Sequence, residues 1–126
     1  MKKTSFFLVA LGAILMLTTM SSCNKDTSGK VTFWYGQGVA LYASTVGATS
    51  FTFYLNNEVI GSSAADVYSV NTPDCGDGGA VTESVDLEGD DSASISYKVV
   101  DQDGTTWWEG SVKIEDGGCL NQQLTL

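Results

Sequence analysis

Histidine and arginine are both absent from this 126-residue chain, and six lysines are its only side-chain cations. Without histidine, neither a Ser-His-Asp nor a Cys-His nucleophile arrangement can be assembled, and the ordinary zinc site loses its usual ligand. Without arginine, and with 15 acidic residues against those lysines, nucleic-acid binding is excluded, because it depends on neutralising phosphates with Lys and Arg. The same imbalance argues against electrostatic docking on anionic lipid. Long apolar runs are scarce too. The longest, Phe6 to Leu17, has 12 residues, whereas a helix needs about 20 to span a bilayer.

That run has a different meaning where it stands. Lys2 and Lys3 precede it, and a short positive region followed by an apolar stretch of this length reads as a secretory signal peptide over residues 1–22. Met20-Ser21-Ser22-Cys23 follows and resembles the lipobox of bacterial lipoproteins, in which small residues precede an obligatory cysteine. Met20 stands where that family favours Leu. The resemblance implies cleavage before Cys23, which then carries a thioether-linked diacylglycerol and an amide-linked acyl chain such as palmitate. The competing reading is an ordinary cleavable signal with an incidental cysteine. Two or more acyl chains hold a protein stably at about 0.8 kcal/mol per buried CH2, so the membrane is an expected partner through the lipid anchor alone.

Residues 23–29 read as the lipidated cysteine and a polar tether, and residues 30–126 as one domain. Loss of Lys2 and Lys3 leaves four Lys against 15 Asp and Glu, a net charge of −11. With Cys23 acylated, Cys75 and Cys119 are the remaining cysteines, and an exported protein keeps them outside the reducing cytoplasm. A Cys75–Cys119 disulfide is expected, with a pair of free thiols as the alternative. Closing that 45-residue loop stabilises a fold by roughly 4 kcal/mol in the chain-entropy picture.

From Lys30 onward the pattern is period-2 alternation broken by Gly, Asn and Asp clusters, which predicts short antiparallel strands. They are placed at Lys30–Tyr35, Val39–Ser44, Ser50–Leu55, Glu58–Gly61, Val67–Val70, Ala80–Leu87, Ala93–Asp101, Thr105–Ile114 and the carboxy-terminal stretch holding Leu120, Leu124 and Leu126. Asn56-Asn57 suits a two-residue type I′ turn, since Asn tolerates positive φ. No amphipathic helix of useful length is expected; Ser62–Asp66 is the nearest candidate for a helical turn. The fold class is all-β, a single small antiparallel sandwich of about seven strands, with a single curled sheet or small barrel as the alternative.

Strand phase turns Trp34, Tyr54 and Trp107 away from the face that holds Phe33, Phe53 and Trp108. Outward aromatics of this kind stack on sugar rings or anchor protein partners. The competing readings are that loops cover them or that a bulge shifts their phase. Asp101 and Asp103, in the turn ending at Gly104, and also Asp74 and Asp77, supply oxygen atoms of the kind calcium prefers. Position 112, where an EF-hand loop needs its bidentate Glu, is Val, and such turns are more simply hairpin connections. No catalytic constellation and no cofactor are expected.

Several stretches together carry a further resemblance: Gly29-Lys30-Val31-Thr32-Phe33-Trp34, the hairpin Phe53–Gly61, Pro73-Asp74-Cys75-Gly76, and Gly104-Thr105-Thr106-Trp107 ahead of Gly117-Gly118-Cys119. They look like a group of small lipoproteins of Bacteroidetes-type bacteria, and the hairpin is similar to those of PEGA-like and transthyretin-like sandwich modules. Lys25-Asp26 matches in part the surface-export signal that follows the lipid cysteine in such bacteria. The resemblance implies an outer-membrane lipoprotein facing either the cell surface or the periplasm, and transfers no catalytic residue. The expected function is a non-catalytic binding or accessory module with a glycan or protein partner. The alternatives are a structural subunit of an envelope complex and a carbohydrate-binding module using Trp34 and Trp107.

Overall fold

Val31 and Phe33 alternate with Thr32 and Trp34 on the first strand, yet all four side chains are buried. That strand, β1 (Ser28–Trp34), is central in its sheet and covered on both faces. The computed structural model describes residues 25–126; the expected signal peptide over residues 1–22 and Cys23 lie outside the described residues. After β1 come a helix, α1 (Gln37–Val46), then β2 (Ser50–Leu55), β3 (Glu58–Ala64), β4 (Val81–Asp86), β5 (Ser92–Asp101), β6 (Thr106–Glu115) and β7 (Cys119–Gln123). Two sheets form, in the orders β4-β1-β7 and β3-β2-β5-β6, so the chain is the small all-β sandwich that its alternation predicts. One pair departs from the antiparallel expectation: β7 lies parallel to β1, with Lys30 opposite Cys119 and Trp34 opposite Gln123.

The inner faces meet through aromatic rings. Phe33 of one sheet lies 6.0 Å from Phe53 and 5.1 Å from Tyr97 of the other, centroid to centroid. Val31, Phe51, Val99, Val112, Ile114 and Leu124 complete the buried centre. Asn56 and Asn57 have φ of 50° and 64°, as a type I′ turn requires. The Cys75–Cys119 disulfide is formed, with Cα atoms 6.2 Å apart.

Three local expectations are corrected. Val39–Ser44 is not a strand but the middle of α1. Val39, Ala40 and Ala43 are buried there, a spacing that places them on one helical face. Gly47, at φ 84°, ends the helix. Its N–H donates to the Ser44 carbonyl, and the Ala48 N–H reaches back to Ala43 at 2.9 Å, the Schellman pattern that a left-handed residue allows. Ser62–Asp66 forms no helical turn through Ala64, because β3 continues that far against Ser50–Phe53; the ladder satisfies more backbone groups than one isolated turn could. Val67–Val70 is irregular. It bonds locally to the Ala64 carbonyl and, through the Ser69 N–H, to the Tyr35 carbonyl.

The segment between β3 and β4 accounts for the burial of the outer face of β1. Thr32, fully buried, donates to Cys75 Sγ at 3.4 Å and shares a hydrogen bond with the Thr82 hydroxyl. Pro73 is buried in the same segment. A loop pinned at Cys75 by the disulfide therefore acts as a third layer over this sheet.

The sandwich has two unlike ends. At one, the chain enters through Lys25 and Thr27, whose carbonyl accepts from the Leu87 N–H, while the Ser28 N–H donates to Asp116 at 3.1 Å. Asp86, Glu88, Asp90, Asp91, Glu115 and Asp116 gather there. Lys25 contacts Asp91 at 2.9 Å, which holds the Asp91 carboxyl below its ordinary value and raises Lys25. At the opposite end lie α1, the β5–β6 turn and the carboxy terminus.

Candidate functional site

The aromatic residues singled out by strand phase have different fates. Trp34 is buried, 8% exposed, and its indole Nε1 lacks a hydrogen-bond partner among the described residues. It is thus a covered side chain of β1 and offers no surface to a ligand. Strand phase places it on the outer face, and this face lies under the β3–β4 segment.

Trp107 is displaced by a bulge. Val99 pairs with Trp108 and Val100 with Thr106, so Trp107 is the extra residue. A bulge re-aims a side chain relative to simple alternation. Here it sends Trp107 to the core side, its ring 4.9 Å from Phe51 and 5.5 Å from Trp108. Tyr42 of α1 meets its edge at 5.9 Å. Trp107 Nε1 donates to Asp101 Oδ2 at 3.0 Å, and Trp108 Nε1 to the Thr125 carbonyl at 2.8 Å. The expectation that Trp107 points opposite to Trp108 is therefore corrected: both flank Phe51, half-buried. Around them Leu41, Tyr42 and Val46 of the uncharged helix stay exposed.

Asp101 is spoken for in the same turn. Its Oδ1 accepts the N–H groups of Asp103 and Thr105 at 2.9 and 3.0 Å. With the Trp107 indole as the main cause, its carboxyl is held below the ordinary carboxylate value. Gln102 ties this turn to α1: its Oε1 accepts from the Thr49 N–H and its Nε2 donates to the Gly47 carbonyl, both at 3.0 Å. The Asp103 carboxylate accepts from Gln102 Nε2. Among the described residues no group of three or more His, Cys, Asp or Glu side chains stands close enough to hold a metal ion. Asp74 and Asp77 similarly close their own turn, the Asp74 N–H donating to Asp77 at 2.8 Å.

Tyr54 keeps the outward position expected of it. Phe53 and Leu55 are buried on one side of β2, and Tyr54, half-buried, stands on the other. The register places Lys98 opposite Tyr54 and Glu109 opposite Lys98, so the three form one row across β2, β5 and β6. Lys98 Nζ sits 5.1 Å from the Tyr54 ring centroid, within cation–π range. The row borders an open depression of about 430 Å³, also lined by Asn57, Ser96 and Gly110. Lys98, Glu109, Asn57 and Ser96 are exposed. Sequence phase identifies Tyr54 as outward, whereas its partners Lys98 and Glu109 follow only from the strand register. Among the described residues no helix is long and apolar enough to cross a membrane. Comparison with known proteins finds no matching family model, no matching curated protein and no matching solved structure.

Proposed function

We propose that this chain is a lipid-anchored, non-catalytic module of the bacterial outer membrane, holding a binding surface away from the bilayer. The observation that carries the reading is the polarity of the sandwich. The described chain enters at the end where Asp86, Glu88, Asp90, Asp91, Glu115 and Asp116 gather, directly after the lipobox-like Met20-Ser21-Ser22-Cys23. An acidic end is repelled by anionic headgroups, so a domain tethered there stands off the lipid rather than lying on it. The row at Tyr54 is then at the flank, and α1 with Leu126 at the far end. The Cys75–Cys119 disulfide agrees with an exported location.

A structural subunit of an envelope complex is the second reading. It is favoured by the exposed Leu41, Tyr42 and Val46 on a helix without charge, an apolar surface of the kind that meets protein partners.

Metabolic labelling with an alkyne palmitate tests the anchor. The wild-type chain should label and fractionate with membranes, and Cys23→Ala should do neither; equal labelling of the two would remove the proposal. Protease treatment of intact cells, with an epitope tag after Leu126, places the domain on one side. Digestion without lysis gives the cell surface, and protection until the outer membrane is permeabilised gives the periplasm.

A further inference from the structure

The depression beside Tyr54 has a chemistry that narrows what can occupy it. It is an open depression of about 430 Å³ on the outer face of the four-stranded sheet. It offers an aromatic ring, the Asn57 amide, the Ser96 hydroxyl, an ammonium donor and a carboxylate acceptor. That set of one apolar face among closely spaced donors and acceptors matches a pyranose ring, which presents C–H groups on its faces and hydroxyls around its rim.

Charge narrows the class further. Lys98 and Glu109 are cross-strand neighbours, so the row carries no net charge. Without Lys2 and Lys3 the chain around it has a formal charge of −11, which repels polyanions. We infer that this depression binds a neutral oligosaccharide, with the Tyr54 ring, which also carries the Lys98 ammonium, as its apolar contact and Asn57, Ser96, Lys98 and Glu109 holding its hydroxyls. The assignment rests on the binding-module reading above and names the ligand class of that module. It moves the sugar site away from Trp34 and Trp107, which are packed into the fold, to the flank of the four-stranded sheet.

Saturation-transfer NMR on the full chain in a non-glycosidic detergent provides the test. The probes are cello-, xylo-, manno- and malto-oligosaccharides, with oligogalacturonate as the acidic counterpart. Transfer to the ring C–H protons of at least one neutral probe is expected. Tyr54→Ala and Glu109→Ala should each weaken its binding about tenfold, the loss typical of a central contact residue, while Leu41→Ser should leave it unchanged. Glu109 is exposed, so its variant keeps the fold and remains informative even if Tyr54→Ala perturbs β2. The inference is overturned if no neutral probe receives saturation, if oligogalacturonate binds better than all of them, or if both row variants retain full affinity. A negative result here with Cys23 still labelled by palmitate removes the ligand class and leaves the anchored module standing.

Discussion

Trp107 donates its indole N–H to the Asp101 carboxylate across the β5–β6 turn at 3.0 Å. This one bond joins the bulged residue of β6 to a side chain that also caps two backbone N–H groups of the turn. It thereby fixes the corner on which α1 rests through Gln102 and Tyr42.

Acid should release that corner only below the ordinary carboxylate range. The folded-state pKa of Asp101 lies below its ordinary 3.8, chiefly through the Trp107 bond. A depressed carboxyl contributes stability that is present above the unfolded value and lost as the pH falls through the folded one. In an indole N–H NMR titration, the Trp107 resonance should therefore move with a midpoint below 3.8. Asp101→Asn should abolish that movement and leave the Trp108 resonance, bonded to a backbone carbonyl, little changed.

Removing the disulfide should cost stability and uncover β1 together. Cys75→Ser with Cys119→Ser frees a loop closed over a sequence separation of 44, worth roughly 4 kcal/mol in the chain-entropy picture. Urea unfolding followed by fluorescence should show a lower midpoint. Acrylamide should quench Trp34 more readily in the double variant, because the pinned segment covers its face. A midpoint equal to that of the oxidised wild type would contradict this account.

Gly29 is a packing requirement of β1. A Cβ built there would collide with the Glu115 carbonyl oxygen and would stand 2.6 Å from Ile114 Cγ2. Backbone cannot yield as a flexible side-chain tip can, so Gly29→Ala should destabilise by about 1–3 kcal/mol. Gly38, with nothing near a Cβ, is its control. Gly38→Ala in α1 should be stabilising by about 0.5–1 kcal/mol, read as opposite shifts in thermal midpoint.

Trp34→Phe should be close to neutral. The change removes apolar area but also a buried N–H without a partner, whose desolvation penalty is about 1–3 kcal/mol. The two effects oppose one another. Phe53→Ala, which empties a fully packed site, should instead cost about 3–5 kcal/mol. Comparable losses for the two variants in chemical denaturation would show that Trp34 finds a partner.

Several features of this protein were legible before any coordinate. Alternation through Ser50–Leu55 and Ala93–Asp101 marks the inward faces of β2 and β5, because the strand period places every second side chain on one side. Asn56-Asn57 marks its turn, because Asn accepts positive φ. Cys75 and Cys119 mark their bond, because they are the pair that remains once Cys23 is read as the expected lipid attachment site. These are local properties of the backbone or simple elimination.

What stayed hidden depended on residues far apart in the chain. The segment Gln37–Val46 carries Val, Tyr and Thr, which suit strands, and it became α1 because burial of Val39, Ala40 and Ala43 against the sandwich outweighs weak propensity. Its clearest local mark was Gly47. Trp34 was buried by a segment beginning some 30 residues later, and Trp107 was turned inward by a bulge defined only against β5. The Tyr54–Lys98–Glu109 row likewise exists only once three strands have settled their register. Sequence by itself determined the strand period, the turns and the acidic, histidine-free chemistry. Tertiary structure decided which faces are covered and which side chains become neighbours, because pairing and burial are settled by non-local contacts that no short stretch encodes.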